Sequence, residues 1–238
     1  MDPNIFKSIP EIDEELGRVT TFYLIENILK IFLGAIKNLE QVHPLDYIIN
    51  SLGCNIIELK GDSEEKNYIK DFCIKTGASS IKNIFKIKES NHDINFNPNN
   101  YKNRYIFFHG TKSENMLGIL SQGLKISPVQ AEFSGKKFGN GIYLSDSFKL
   151  SLHYSKKKEI KNDKIFILLV EAALGDNNKD YKEYNINVDY KDIYLTDEGY
   201  GIFKFKDFNS LNKYHFLNGG IIVIKDEMNV RVKYIVEL

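Results

Sequence analysis

The chain has 238 residues, 42% of them hydrophobic and 27% charged, with Lys plus Arg equal to Asp plus Glu at 32 each. That length holds one generous domain, or one domain with a small helical attachment. The balanced charge excludes an overall basic field of the kind that holds nucleic acid, so no dedicated DNA-binding module is expected. Two cysteines, Cys54 and Cys73, lack metal-ligand spacing and read as reduced residues of an intracellular protein, cytoplasmic or nuclear.

The first 18 residues are polar, with Pro3 and Pro10, and lack the basic and apolar regions of a secretory signal. From Thr21 to Leu39, Phe22, Ile25, Ile28, Phe32, Ala35, Ile36 and Leu39 recur at helical spacing and predict an amphipathic helix. Glu26, Lys30 and Lys37 interrupt its apolar character, which excludes a membrane span. His43-Pro44-Leu45-Asp46 ends that helix, because proline disfavours helical geometry before it. Cys54 to Leu59 reads as a strand. Asp62-Ser63-Glu64-Glu65 reads as the acidic N-terminus of a helix running to about Thr76, with Gly77 at its C-cap. Ile81 to Lys88 predicts a strand, and Asn91 to Asn103 a polar loop.

The stretch from Arg104 to Tyr154 carries the chemistry. Tyr105-Ile106-Phe107-Phe108 has the bulky character of a buried strand and delivers His109, Gly110 and Thr111 at its end. Met116, Leu117, Ile119 and Leu120 give a helix an apolar face, stopped by Gly123. Gly139-Asn140-Gly141 opens a strand, Ile142-Tyr143-Leu144, and a further segment closes on Ser151-Leu152-His153-Tyr154. The lysines at 156, 157, 158 and 161 form a basic run read as a solvated loop. Lys164 to Leu174 is strand-like, and 176–214 is polar and tyrosine-rich, with a short strand at Tyr200 to Phe203. Gly219 to Ile224 and Val230 to Leu238 give the closing strands. Many short strands with few helices predict an α+β domain of two packed, mainly antiparallel sheets with flanking helices and a short N-terminal helical segment.

Four blocks in this order resemble the catalytic domain of the poly(ADP-ribose) polymerase family of diphtheria-toxin-like ADP-ribosyltransferases. They are His109-Gly110-Thr111, Gly118 to Leu124, Phe138 to Tyr143, and Ser151 to Tyr154. The resemblance extends over residues 43–238, and residues 1–42 look like a remnant of the helical regulatory domain that precedes the catalytic domain in some members.

The resemblance implies that NAD is the co-substrate and that neither a metal nor an added cofactor is needed. His109 and Tyr143 would be catalytic, His109 holding a ribose hydroxyl and Tyr143 closing one side of the nicotinamide. Gly110 would give its backbone to the carboxamide, Ser151 a hydrogen bond to the same group, and Tyr154 a stacking face. Thr111, Asn115 and Lys125 would meet the adenosine and diphosphate side. Polymer-forming members place a glutamate at the start of a strand near the C-terminus. With Lys233-Tyr234 as anchor and Asp226 aligned without a gap, that position here is Ile221, or Ile222 if the register slips by one. Neither takes a proton or accepts a hydrogen bond, and Asp226 and Glu227 are expected beyond the strand. The expectation is therefore single ADP-ribose transfer, to the protein itself, to another protein or to a nucleic-acid end. The alternative is a weak or inactive protein that only binds NAD or ADP-ribose. No membrane partner is expected.

Overall fold

The computed structural model describes residues 26, 29–38, 42–88, 96, 103–126, 141–155, 164–174, 193–204 and 220–238. Residues 29–37 form helix α1, within the predicted amphipathic helix, whose remaining positions 21–25, 27, 28 and 39 lie outside the described residues. Proline then begins a helix as well as ending one. Pro44–Ser51 is α2, with Pro44 in the first turn, where a missing N–H costs nothing, and the His43 imidazole accepting from the Leu45 N–H. The prediction stopped a helix at Pro44 and did not foresee the next one.

Strand β1 (Asn55–Glu58) pairs antiparallel with β2 (Asn83–Lys88), and between them runs α3 (Glu64–Lys75). Ser63 caps α3 by accepting from the Lys66 N–H, and Glu64 and Glu65 occupy the first turn, as the acidic cluster predicted. Strand β3 (Arg104–Gly110) leads through a 3-10 turn at Ser113–Asn115 into α4 (Met116–Gln122), which stops at Gly123 with φ of 76°. Strand β4 (Ile142–Ser145) and α5 (Phe148–Ser155) follow. Then come β5 (Phe166–Ala173), β6 (Ile193–Leu195), β7 (Gly201–Phe203), β8 (Ile221–Ile224) and β9 (Val230–Glu237). The polar stretch 176–214 gave no sign of β6, a three-residue strand whose pairing with β7 is what orders it.

The strands join in the order β1-β2-β9-β5-β3-β4-β8, with β7 on β3 and β6 on β7. All pairings are antiparallel except the single parallel contact Tyr105↔Gly201. The sheet divides at β3. On one side β3 pairs with β5 along all seven residues, Arg104↔Ala173 to Gly110↔Ile167. On the other it meets β4 only at Phe108↔Ser145 and β7 only at Tyr105↔Gly201. Among the described residues all nine strands thus join in one sheet, and with the helices they make an α+β architecture.

Tyr105 to Phe108 are all buried, which is why that run is continuously apolar instead of alternating. Phe108 stacks on Phe72 of α3 at 4.3 Å and meets Phe148 of α5 edge-on at 5.4 Å. Both helices are thus held by the residue next to His109. Cys54 and Cys73 are buried in this core and form no disulfide, and burial pushes the Cys73 thiol well above its usual range, leaving it inert. Among the described residues, no helix is long and apolar enough to cross a membrane.

At the Arg104 end of β3 lies a polar cluster. Glu171 of β5 is fully buried, and each of its oxygens takes its own guanidinium: Arg104 Nη1 and Arg231 Nε, both at 2.7 Å. Glu198, in the turn between β6 and β7, accepts from Lys233 at 2.6 Å and pairs with Lys86 at 3.2 Å. Lys86 also reaches Glu65 at 2.7 Å, which accepts from the Tyr234 hydroxyl. Four cations face three carboxylates across five elements.

Candidate functional site

His109 is the sixth residue of β3, one step past the fully buried Phe108, so its backbone is fixed by the core while its ring keeps some access to solvent. Its Nδ1 lies 2.9 Å from the Tyr143 carbonyl oxygen. A carbonyl only accepts, so Nδ1 carries the proton and Nε2 is left with a lone pair. Burial lowers the His109 pKa, opposed by this hydrogen bond, so the ring is neutral at pH 7. A neutral imidazole with a fixed Nδ1–H is an acceptor for a hydroxyl at Nε2. Tyr143 itself is half-buried in β4, opposite Val223.

Gly110 ends β3 against the start of α5. A Cβ there would lie 1.8 Å from the Ser151 carbonyl oxygen. The missing side chain is thus required by helix packing, a reason distinct from the close ligand approach inferred from sequence. That contact sets the two carboxamide candidates, Gly110 and Ser151, side by side. Ser151 is buried, and its carbonyl accepts from the Ser155 hydroxyl. Tyr154, one turn further along α5, is 44% exposed, its ring edge-on to His153 at 5.8 Å. It is free to serve as an open face.

Ser155, which sequence reasoning missed, fastens these pieces together. Its buried hydroxyl accepts from the Thr111 N–H at 3.1 Å and donates to the Ser151 carbonyl at 3.3 Å. Nothing in the sequence marked it, since a serine at the end of a helical segment has many uses. The Thr111 hydroxyl in turn accepts from the Asn115 amide at 3.0 Å. Four residues expected at one site, Gly110, Thr111, Asn115 and Ser151, are therefore linked by contact or hydrogen bond.

Lys125 is not part of that chain of bonds. It lies past Gly123, more than half exposed, with its ammonium 2.9 Å from a Glu227 oxygen. Ile221 begins β8 opposite Ser145, which is itself paired with Phe108, so Ile221 sits in the same row as the neighbour of His109 and is only partly buried. Ile221 is thus an aliphatic residue two pairings from Phe108. Asp226 and Glu227 lie beyond β8, at the start of a 3-10 turn. Asp146 follows β4, its N–H donating to Gly220 O beside Ile221, and burial pushes its carboxyl up to about 8. Phe138, Gly139, Asn140 and the segment from Gln130 to Lys137 lie outside the described residues, as does the basic run after Ser155. Among the described residues, no group of three or more His, Cys, Asp or Glu side chains could hold a metal ion.

The model of the poly(ADP-ribose) polymerase catalytic domain matches residues 63–238. A poly [ADP-ribose] polymerase 2 of Arabidopsis thaliana is 32% identical over 192 residues, 77% of this chain and 29% of that protein. The human protein of the same name is 29% identical over 184 residues, 74% of this chain and 31% of that protein. A poly [ADP-ribose] polymerase 1 of Gallus gallus is 35% identical over 141 residues, 56% of this chain and 14% of that protein. The chain thus spans less than a third of the length of these relatives.

Proposed function

The chain belongs to the poly(ADP-ribose) polymerase catalytic-domain family, and on that premise we propose that it transfers a single ADP-ribose unit from NAD to a macromolecular acceptor, itself included, releasing nicotinamide. One observation carries the reading. His109 and Tyr143, 34 positions apart in the chain, are joined by the Nδ1–carbonyl hydrogen bond, which leaves Nε2 as an acceptor on the residue that precedes Gly110.

In the reaction, the bond between ribose C1 and the nicotinamide nitrogen breaks, and its electron pair leaves with the nitrogen, turning the cationic ring neutral. The transition state is oxocarbenium-like, as in glycoside cleavage. An acceptor oxygen then bonds to C1 and gives up its proton. His109 Nε2 would accept from a ribose hydroxyl, Ser151 and the Gly110 backbone would hold the carboxamide, and Tyr143 and Tyr154 would flank the ring. Thr111, Asn115 and Lys125 would meet the adenosine and diphosphate.

Elongation needs a group to take a proton from the ribose of an ADP-ribose already attached, and Ile221 offers none. Incubation with labelled NAD, resolved by mass spectrometry, gives single ADP-ribose units; long polymers would sink the assignment. Ile221→Glu, which restores a carboxylate in the row of Ser145 and Phe108, is expected to yield short oligomers. The aliphatic Ile221 also favours a second reading, an NAD- or ADP-ribose-binding protein without turnover. It predicts binding by calorimetry with no nicotinamide release.

A further inference from the structure

Glu227 joins two segments that are 101 positions apart in the chain. Its Oε1 accepts the Ile126 N–H at 2.7 Å, and its Oε2 takes the Lys125 ammonium at 2.9 Å. One end of this clasp is the stretch that leaves α4 through the left-handed Gly123, with Leu124 buried beneath it. The other is the 3-10 turn Glu227–Asn229 between β8 and β9, held by the Asp226 carboxylate accepting from the Met228 N–H at 2.9 Å. The ion pair alone is weak, because its side chains are 58% and 34% exposed. The carboxylate bond to the Ile126 backbone is directional and charge-assisted, and it fixes the path of the chain. Lys125 therefore has a place set from outside its own segment.

We propose that Glu227 is a positioning residue for the adenosine and diphosphate side of the dinucleotide, holding the Ile126 backbone and with it Lys125 where that side is met. The proposal rests on the NAD reading of the pocket. It separates the two ends of the ligand: the clasp serves the ADP-ribose half and leaves the nicotinamide half, at Gly110 and Ser151, untouched.

The test uses the full chain with two probes, ADP-ribose and the nicotinamide mimic benzamide, measured by calorimetry beside NAD turnover. Glu227→Ala is expected to weaken ADP-ribose binding and raise the KM for NAD about five- to tenfold, the size of one net hydrogen bond. Its kcat and its affinity for benzamide stay within about twofold, inside the spread of a surface change. Glu227→Gln keeps an oxygen for the Ile126 amide and recovers most of the lost affinity. Hydrogen exchange at the Ile126 amide, fast in the Ala variant and slow in the parent, supports the clasp in the free protein. Equal weakening of both probes, or an unaltered ADP-ribose affinity, overturns the proposal alone. A parent protein that binds neither probe overturns the NAD reading and this proposal with it.

Discussion

The two ends of β3 are separated by six residues, roughly 20 Å of extended chain, and they are built on opposite plans. At Arg104 the strand enters a closed set of charges in which Glu171 is fully buried and each of its oxygens has its own guanidinium. At His109 it enters a set of small contacts, a carbonyl bond, a glycine against a helix and a serine bridging two backbones, with open rings around them. The charged end is complete without a ligand. The other end holds groups that bind polar molecules, the His109 imidazole with its Nδ1 on the Tyr143 carbonyl and the Ser151 hydroxyl. The difference teaches that charge density alone does not locate function. The buried Glu171 cluster holds several elements together, and none of its side chains is a candidate for the site.

Removing the keystone of the charged end gives the largest effect. Glu171→Ala strands two guanidinium groups that are little exposed, and chemical denaturation should show a loss of about 3–5 kcal/mol. Turnover per folded molecule should be unchanged. A stable variant with lost turnover would break the comparison by making the two ends one unit.

At the other end the outcome inverts. His109→Ala should cut NAD turnover by about 100-fold, the scale of one lost preorganised contact to a reacting substrate, with a melting temperature near that of the parent. The acid limb of kcat/KM should fall below the ordinary histidine value of about 6.5. The sign follows from a folded pKa held below the unfolded one. The neutral, working form and its share of stability are present above the unfolded value, and both are lost as pH falls through the folded one. An acid limb above 6.5 would mean that another group titrates.

A smaller change sharpens the contrast. Ser155→Ala removes an acceptor from the Thr111 N–H and should cost about 1 kcal/mol of stability. It should also weaken benzamide binding severalfold while kcat changes less. Ser155→Thr, which keeps the hydroxyl, should restore binding. Loss of stability without any change in binding would show that the bridge serves only the fold.

The legible parts of the molecule were those fixed by local rules. The acidic turn of α3, the stop at Gly123, the buried run of β3 and the apolar β5 and β9 stand where their residues put them. His109, Gly110, Thr111, Asn115 and Ser151 were expected at one place and are connected there. What escaped depends on distant partners. The start of α2 at Pro44 needs the cap from His43, and β6 exists through β7. The charged cluster joins residues as far apart as Glu65 and Tyr234, a pairing no spacing reveals. Ser155 and Glu227 act on backbone groups of other segments, and such bonds carry no side-chain signature.

The contact between Gly110 and the Ser151 carbonyl also bears on any library of variants. A full scan would score position 110 as intolerant of every replacement, the same score that a ligand contact earns. There the penalty comes from a helix displaced by a single methyl, before any substrate arrives. Variants at 110 are thus poor probes of recognition, and redesign of the pocket for bulkier dinucleotide analogues has to begin elsewhere, at a side chain such as the half-exposed Tyr154.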